Sequence, residues 1–157
     1  MKKAFALTLA ILMAAALLAA CEPSAPAQEQ IVVVRAYGDP LTLNPNTTGD
    51  DFNYAVAQNI YNRMVKLDAS KQIIPDLARS WETSEDGLKI TFHLAENVRW
   101  HDGEKFTSED VKYTFETIAS DATLIAKDLF RSLDHVECPD ENTAVFVMKT
   151  PDVSIIG

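Results

Sequence analysis

A mixed α/β (α+β) fold is what this sequence predicts, on three observations. Lys89-Ile90-Thr91-Phe92-His93-Leu94 alternates apolar and polar residues with period two between turn signals, the pattern of a half-buried strand. Thr107-Ser108-Glu109-Asp110 opens a helix with a hydroxyl at the N-cap and acids in its first turn. Asp134 to Cys138 and Thr143 to Lys149 read as a strand pair joined by the turn Pro139-Asp140-Glu141-Asn142. With 157 residues, 47% of them apolar, the chain can build one domain with a real core but not two lobes, since domains most often run to about 100–150 residues.

The chain starts with an address. Met1-Lys2-Lys3 is a positive n-region, and Ala4 to Leu17 is an apolar run interrupted only by Thr8. At about 1.5 Å per residue such a run barely reaches across a bilayer core of about 30 Å, so an export signal is expected over residues 1–20 rather than a membrane anchor. Leu18-Ala19-Ala20-Cys21 resembles a bacterial lipobox, at which the signal is cleaved and the new N-terminal cysteine is acylated. Each buried CH₂ contributes about 0.8 kcal/mol, so two or three acyl chains at Cys21 would hold a membrane firmly. Residues 21–29, with Pro23 and Pro26 among small residues, read as a lipidated flexible tether. Lipidation of Cys21 would leave Cys138 alone, expected as a small buried residue in a strand rather than a reactive thiol.

Without residues 1–20 the chain carries 12 basic against 23 acidic residues, a net charge of −11. Such a surface repels phosphate backbones, which argues against a nucleic-acid partner.

Ile31-Val32-Val33-Val34 reads as a strand buried on both faces, and Gly38-Asp39-Pro40 turns the chain out of it. Asp50 or Asp51 is expected to cap a helix through Tyr54 to about Leu67, because Val56, Ile60, Met64 and Leu67 recur at helical spacing. Ile73-Ile74-Pro75-Asp76 leads to an expected helical turn, Leu77 to Ser80, followed by Trp81 as a structural anchor. Ser84-Glu85-Asp86-Gly87 is a turn that sends the chain into the strand Lys89 to Leu94. There Ile90, Phe92 and Leu94 take the buried face and His93 the solvent side. Val98 and Trp100 suggest a short strand closed by the hairpin-type turn His101-Asp102-Gly103. In the capped helix, Val111, Phe115 and Ile118 form the buried stripe, extended by Tyr113, and Asp121 to Leu133 is a further candidate helix.

The residues Pro75, Leu77, Ala78, Ser80 and Trp81, then Ser84, Asp86 and Gly87, then Phe92, Trp100 to Gly103, Phe106, Thr107, Asp110 and Val111 keep one consistent spacing from Pro75 to Val111. This stretch resembles the signature of the bacterial extracellular solute-binding proteins of family 5, receptors that hand oligopeptides, dipeptides, nickel and some sugars to ABC importers. The segment Gly38-Asp39-Pro40-Leu41-Thr42-Leu43-Asn44-Pro45 also resembles the family's mature N-terminus, with Asn44 in place of its usual acid. The resemblance implies a periplasmic-binding-protein-like fold of type II. It covers only the front of a family member, so residues 30–157 are expected to be an incomplete first lobe and the chain an N-terminal fragment of a two-lobed receptor.

The implied partners are a small solute such as a peptide, an ABC permease, and a membrane through the lipid anchor; the receptor is expected to be a monomer without cofactor. The implied location is the cell envelope, lipid-anchored and facing the periplasm or the exterior. By position in the family, ligand contacts are expected from Tyr37 to Leu43 and from about Ala119 to Lys127, with Tyr37, Asp39, Thr42 and Thr123 as the candidate residues. Asp39 would meet a ligand amine and Tyr37 would pack on the ligand. An envelope lipoprotein that uses the same scaffold without transport is the alternative. Enzymatic chemistry is not expected: there is no Gly-x-Ser-x-Gly, no His-Glu-x-x-His and no metal-spaced Cys/His set.

Overall fold

The computed structural model of the chain describes Val33, residues 38–47 and residues 49–156. Apart from Val33 these lie in one structural unit, Ala36–Gly157. The expected signal, Cys21, the tether, the strand Ile31 to Val34 as a unit, and Tyr37 lie outside the described residues.

The chain order is helix α1 (Asp51–Ala57), strands β1 (Val65–Leu67), β2 (Ile73–Pro75), β3 (Ala78–Thr83) and β4 (Lys89–Leu94), helix α2 (Ser108–Ser120), a 3₁₀ turn (Ile125–Phe130), strands β5 (Leu133–Asp140) and β6 (Thr143–Met148), and a last 3₁₀ turn (Val153–Ile156). β3, β4, β6 and β5 form an antiparallel sheet in that order, and β1 pairs with β2 in a separate two-stranded ribbon. The mixed α+β expectation therefore holds.

The sheet has one apolar face. In β4 the alternation places Ile90, Phe92 and Leu94 in the core. Their register partners Phe146 and Ala144 on β6 are buried as well, and Val136 on β5 lies opposite Phe146. Helix α2 closes this face with Val111, and Phe115 stands edge-on between Phe146 (centroids 4.9 Å apart) and Phe130 (5.1 Å). Trp81, opposite Phe92 on β3, packs against the same core, as an anchor should.

Polar bonds fix where α2 sits. The Thr107 N–H donates to Asp110 Oδ2 at 2.7 Å and the Thr107 hydroxyl to the same oxygen at 3.1 Å, so the aspartate does the work of a capping-box glutamate. Ser108 Oγ donates to the Asp140 carbonyl at 2.6 Å, and Cys138 Sγ lies 3.3 Å from the Ser108 carbonyl. One turn before the helix ends, Glu116 Oε1 accepts the Val136 N–H at 2.9 Å, next to the irregular register of β5. A carboxylate on the helix thus satisfies a strand donor that the ladder leaves over.

Five local expectations are corrected. The helix expected through Leu67 stops at Ala57, where Asn59 Nδ2 donates to the Ala55 carbonyl at 2.8 Å and takes an acceptor the helix would have used. Val65–Leu67 is instead a strand paired to Ile73–Pro75 around a turn in which Asp68 Oδ1 accepts the N–H groups of Ser70 and Gln72. The expected helical turn Leu77 to Ser80 is extended: the Leu77 and Ala78 N–H groups donate to the carbonyls of Arg63 and Met64, and Ala78–Thr83 pairs with β4. The helix expected over Asp121 to Leu133 is only the 3₁₀ turn Ile125–Phe130, because Asp121 leaves the helical region (φ −80°, ψ 112°) and Leu133 already belongs to β5. Tyr113 is 74% exposed and does not extend the buried stripe. Around the His101-Asp102-Gly103 turn the expected strand reduces to a single bridge, Arg99 to Lys105, while Gly103 takes a positive φ of 93°.

Candidate ligand-facing segments

The loop just after the first of the two segments singled out for ligand contact touches the second. The Asn46 carbonyl accepts the Ala126 N–H at 3.5 Å, and Gly49 lies against Ile125. The loop before α1 is held by its own side chains: Thr42 Oγ1 accepts the Asn44 N–H at 3.0 Å, Asn44 Oδ1 accepts the Asn46 N–H at 2.9 Å, and Asp50 Oδ1 caps α1 at the Phe52 N–H, 2.8 Å away. On the other segment, Asp121 Oδ1 accepts both the N–H (2.8 Å) and the hydroxyl (2.7 Å) of Thr123. The Thr123 hydroxyl, then its N–H, hold the Asp121 carboxyl below the usual carboxylate range.

Among the candidate residues, then, Thr42 and Thr123 use their hydroxyls within local turns, Asp39 is exposed, and Tyr37 lies outside the described residues. Sequence reasoning passed over exposed apolar residues here: Leu41 and Leu43 on the first segment, Ile125 on the second and Leu129 just beyond it. Leucines within otherwise polar loops were the available signal.

The signature residues carry structure rather than chemistry. Trp81 and Phe92 pack; Trp100 stands edge-on to Phe106 at 5.8 Å; Gly87 and Gly103 sit at positive φ; Thr107 and Asp110 cap α2. The histidines lie on β4, on the Trp100–Gly103 turn and on β5, and no group of three metal-ligating side chains forms among the described residues. Cys138 is half-buried in β5, and burial pushes its thiol pKa up, the opposite of a nucleophile's requirement.

The outer sheet face is charged. Lys89 lies 3.3 Å from Glu137 and His93 lies 3.7 Å from Glu82; exposed pairs of this kind contribute about 0–1 kcal/mol each. His135 has Nδ1 2.9 Å from Asp134 Oδ2 and Nε2 3.6 Å from Glu137 Oε1. Its pKa is raised above the ordinary 6.5, first by the hydrogen bond to Asp134 and then by Glu137. An NMR titration should therefore find His135 deprotonating above the ordinary histidine value, and Asp134→Asn should bring it down. The stabilising effect is present in full below the unfolded-state pKa and disappears as pH rises through the folded one. An unshifted His135, or one indifferent to Asp134→Asn, contradicts the pairing.

Residues 72–156 match the family described as bacterial extracellular solute-binding proteins, family 5 Middle. The chain is 31% identical over 166 residues to di/tripeptide-binding protein 1 of Pseudomonas aeruginosa, covering 92% of this chain and 30% of that protein. It is 29% identical over 161 residues to the dipeptide-binding protein of Escherichia coli K12, covering 89% of this chain and 30% of that one. Among solved structures, 76% of the chain superposes on 24% of the PBP AgaA from A. tumefaciens R10 in complex with agropinic acid, with a TM-score of 0.71 and 33% identity. NikZ from Campylobacter jejuni in complex with Ni(L-His) gives the same TM-score and coverage at 27% identity. The chain spans between 17% and 30% of the length of the curated relatives it matches.

Proposed function

The chain belongs to the bacterial extracellular solute-binding proteins of family 5, and we infer that it is the N-terminal part of the first lobe of a lipid-anchored receptor that captures a peptide, or another small solute, for an ABC importer. The match of residues 72–156 to the family carries this reading. The peptide preference is drawn from relatives whose names state di- and tripeptide binding. In this reading residues 1–20 are the lipoprotein signal, 21–29 the tether acylated at Cys21, and 30–157 the lobe segment. Capture is lobe closure: polar groups and backbone amides fix the ligand, apolar walls exclude water, and no bond is made or broken. Leu41, Leu43 and Ile125 supply apolar surface on the segments expected to face the ligand, with Leu129 just beyond, Asp39 available to an amine and Tyr37 to its side chain. The closed form is delivered to a permease at the membrane that Cys21 anchors.

The test begins by reading the gene past codon 157. The complete frame, produced without residues 1–20, is then melted with dipeptides, oligopeptides and nickel. A ligand at a hundred times its dissociation constant should add about 2.7 kcal/mol. One class giving a clear upward shift supports the receptor and names its solute. A frame that stops at codon 157 overturns two-lobed capture, and a complete frame that no solute shifts favours an envelope lipoprotein without transport. Loss of radiolabelled palmitate from Cys21→Ala tests the anchor separately.

A further inference from the structure

Away from those segments, α1, the connection after it and the β1–β2 ribbon line an open concavity of about 380 Å³, within the size range of small-molecule sites. Tyr54, Tyr61 and Leu67 supply its apolar wall, each at least 43% exposed, and Arg63, Lys66 and Asp76 its charged one. The Arg63 guanidinium stands 4.8 Å from the centre of the Tyr54 ring. Its backbone is fixed on both sides, the N–H donating to Asp76 Oδ2 at 3.0 Å and the carbonyl accepting the Leu77 N–H at 2.9 Å.

The single acid here is committed. Asp76 also accepts Asn62 Nδ2 at 3.0 Å, leaving Lys66 with only a 3.9 Å contact. Among the described residues the Arg63 guanidinium makes no ion pair, so its forked donors are available beside two tyrosine rings, while the Lys66 ammonium is held only by its long ion pair to Asp76. In a chain whose net charge without residues 1–20 is −11, two cations against one acid make a local excess of positive charge with an apolar floor. A guanidinium fork matches a carboxylate in two parallel hydrogen bonds, and tyrosine faces and a leucine accept a flat or aliphatic body.

We propose that this concavity is a second binding site, for a small carboxylate carrying an aromatic or aliphatic body. The carboxylate lies across Arg63 and Lys66, and the body rests on Tyr54, Tyr61 and Leu67. The site is independent of the reading of the chain as a receptor lobe, since it uses none of the segments expected to face the transported solute.

Phenylacetate is the probe, titrated into the ¹⁵N-labelled chain, with phenylacetamide as its neutral isostere. Saturable shifts confined to α1 and the β1–β2 ribbon are expected, weakening at least about tenfold for phenylacetamide and for Lys66→Gln, the cost of losing a charged hydrogen bond. Lys66 is exposed, so Lys66→Gln should leave the fold intact, and Arg63→Gln should weaken binding at least as much. Absence of saturable shifts, shifts centred elsewhere, or equal affinity for the amide and for Lys66→Gln would each overturn the proposal.

Discussion

Replacing Phe146 with alanine is expected to cost about 3–5 kcal/mol, enough to lower the melting temperature by roughly 10–20 °C. Phe146 is 2% exposed and stands edge-on to two other rings at once, Phe92 (4.9 Å, 63°) and Phe115 (4.9 Å, 61°). It thereby joins the central strand β4 to the covering helix α2. Truncation forfeits the transfer energy of the ring and leaves a cavity whose walls belong to three separate elements. It also breaks two aromatic pairs, each contributing about 0.5–1.5 kcal/mol beyond area burial. A domain's whole stability is about 5–15 kcal/mol, so the loss is a large fraction of it. The neighbouring position provides the control: Val147 points to the outer face opposite Lys89, and Val147→Thr should cost less than about 1 kcal/mol. Denaturant unfolding of both variants decides the matter. Equal losses, or a Phe146→Ala loss below about 1.5 kcal/mol, would mean that the core is not on this face.

How much of this was legible in the residues depended on whether local chemistry or distant pairing decided each element. β4 was legible because its alternation, its turn and its buried face all lie within ten residues. The cap of α2 was legible because Thr107 and Asp110 are three residues apart. Ala78–Thr83 and Val65–Leu67 were not, since each is extended only because a partner elsewhere supplies its hydrogen bonds: Ile90 to Leu94 for the first, Ile73 to Pro75 for the second. The helical spacing of Val56, Ile60, Met64 and Leu67 was real but coincidental, and Asn59 broke it by taking the Ala55 carbonyl.

The residues expected to face a ligand were harder still. Position in the family singled out two segments, and the structure shows only that the loop after the first, at Asn46, bonds to Ala126 in the second. Yet a threonine in a turn looks the same in sequence whether its hydroxyl serves a ligand or the loop itself. Thr42 and Thr123 serve the loop.

Gly87→Ala is expected to cost about 2–4 kcal/mol, through two mechanisms that can be separated. Gly87 holds φ at +69°, closing a turn in which its N–H donates to the Ser84 carbonyl at 2.9 Å. An alanine there pays for the left-handed conformation, about 1–2 kcal/mol. A Cβ would in addition meet Pro151 Cβ at 3.0 Å, closer than carbon atoms normally approach. Pro151 cannot retreat freely. On one side of it, the Lys149 N–H donates to the Ser132 carbonyl at 2.8 Å; on the other, Asp152 Oδ2 accepts the Ser132 hydroxyl at 2.8 Å. The exit of β6 is therefore pinned to the start of β5 while the turn before β4 presses against it. A double-mutant cycle with Pro151→Gly separates the two mechanisms, because removing the proline side chain relieves the contact but leaves φ unchanged. Gly87→Ala should be about 1–2 kcal/mol less costly in the Pro151→Gly background, and the remainder should persist. Full additivity would show that the contact yields without cost and that backbone conformation alone selects glycine. No loss in either background would mean that this turn does not hold a left-handed residue, and the glycine of the signature would then need another explanation.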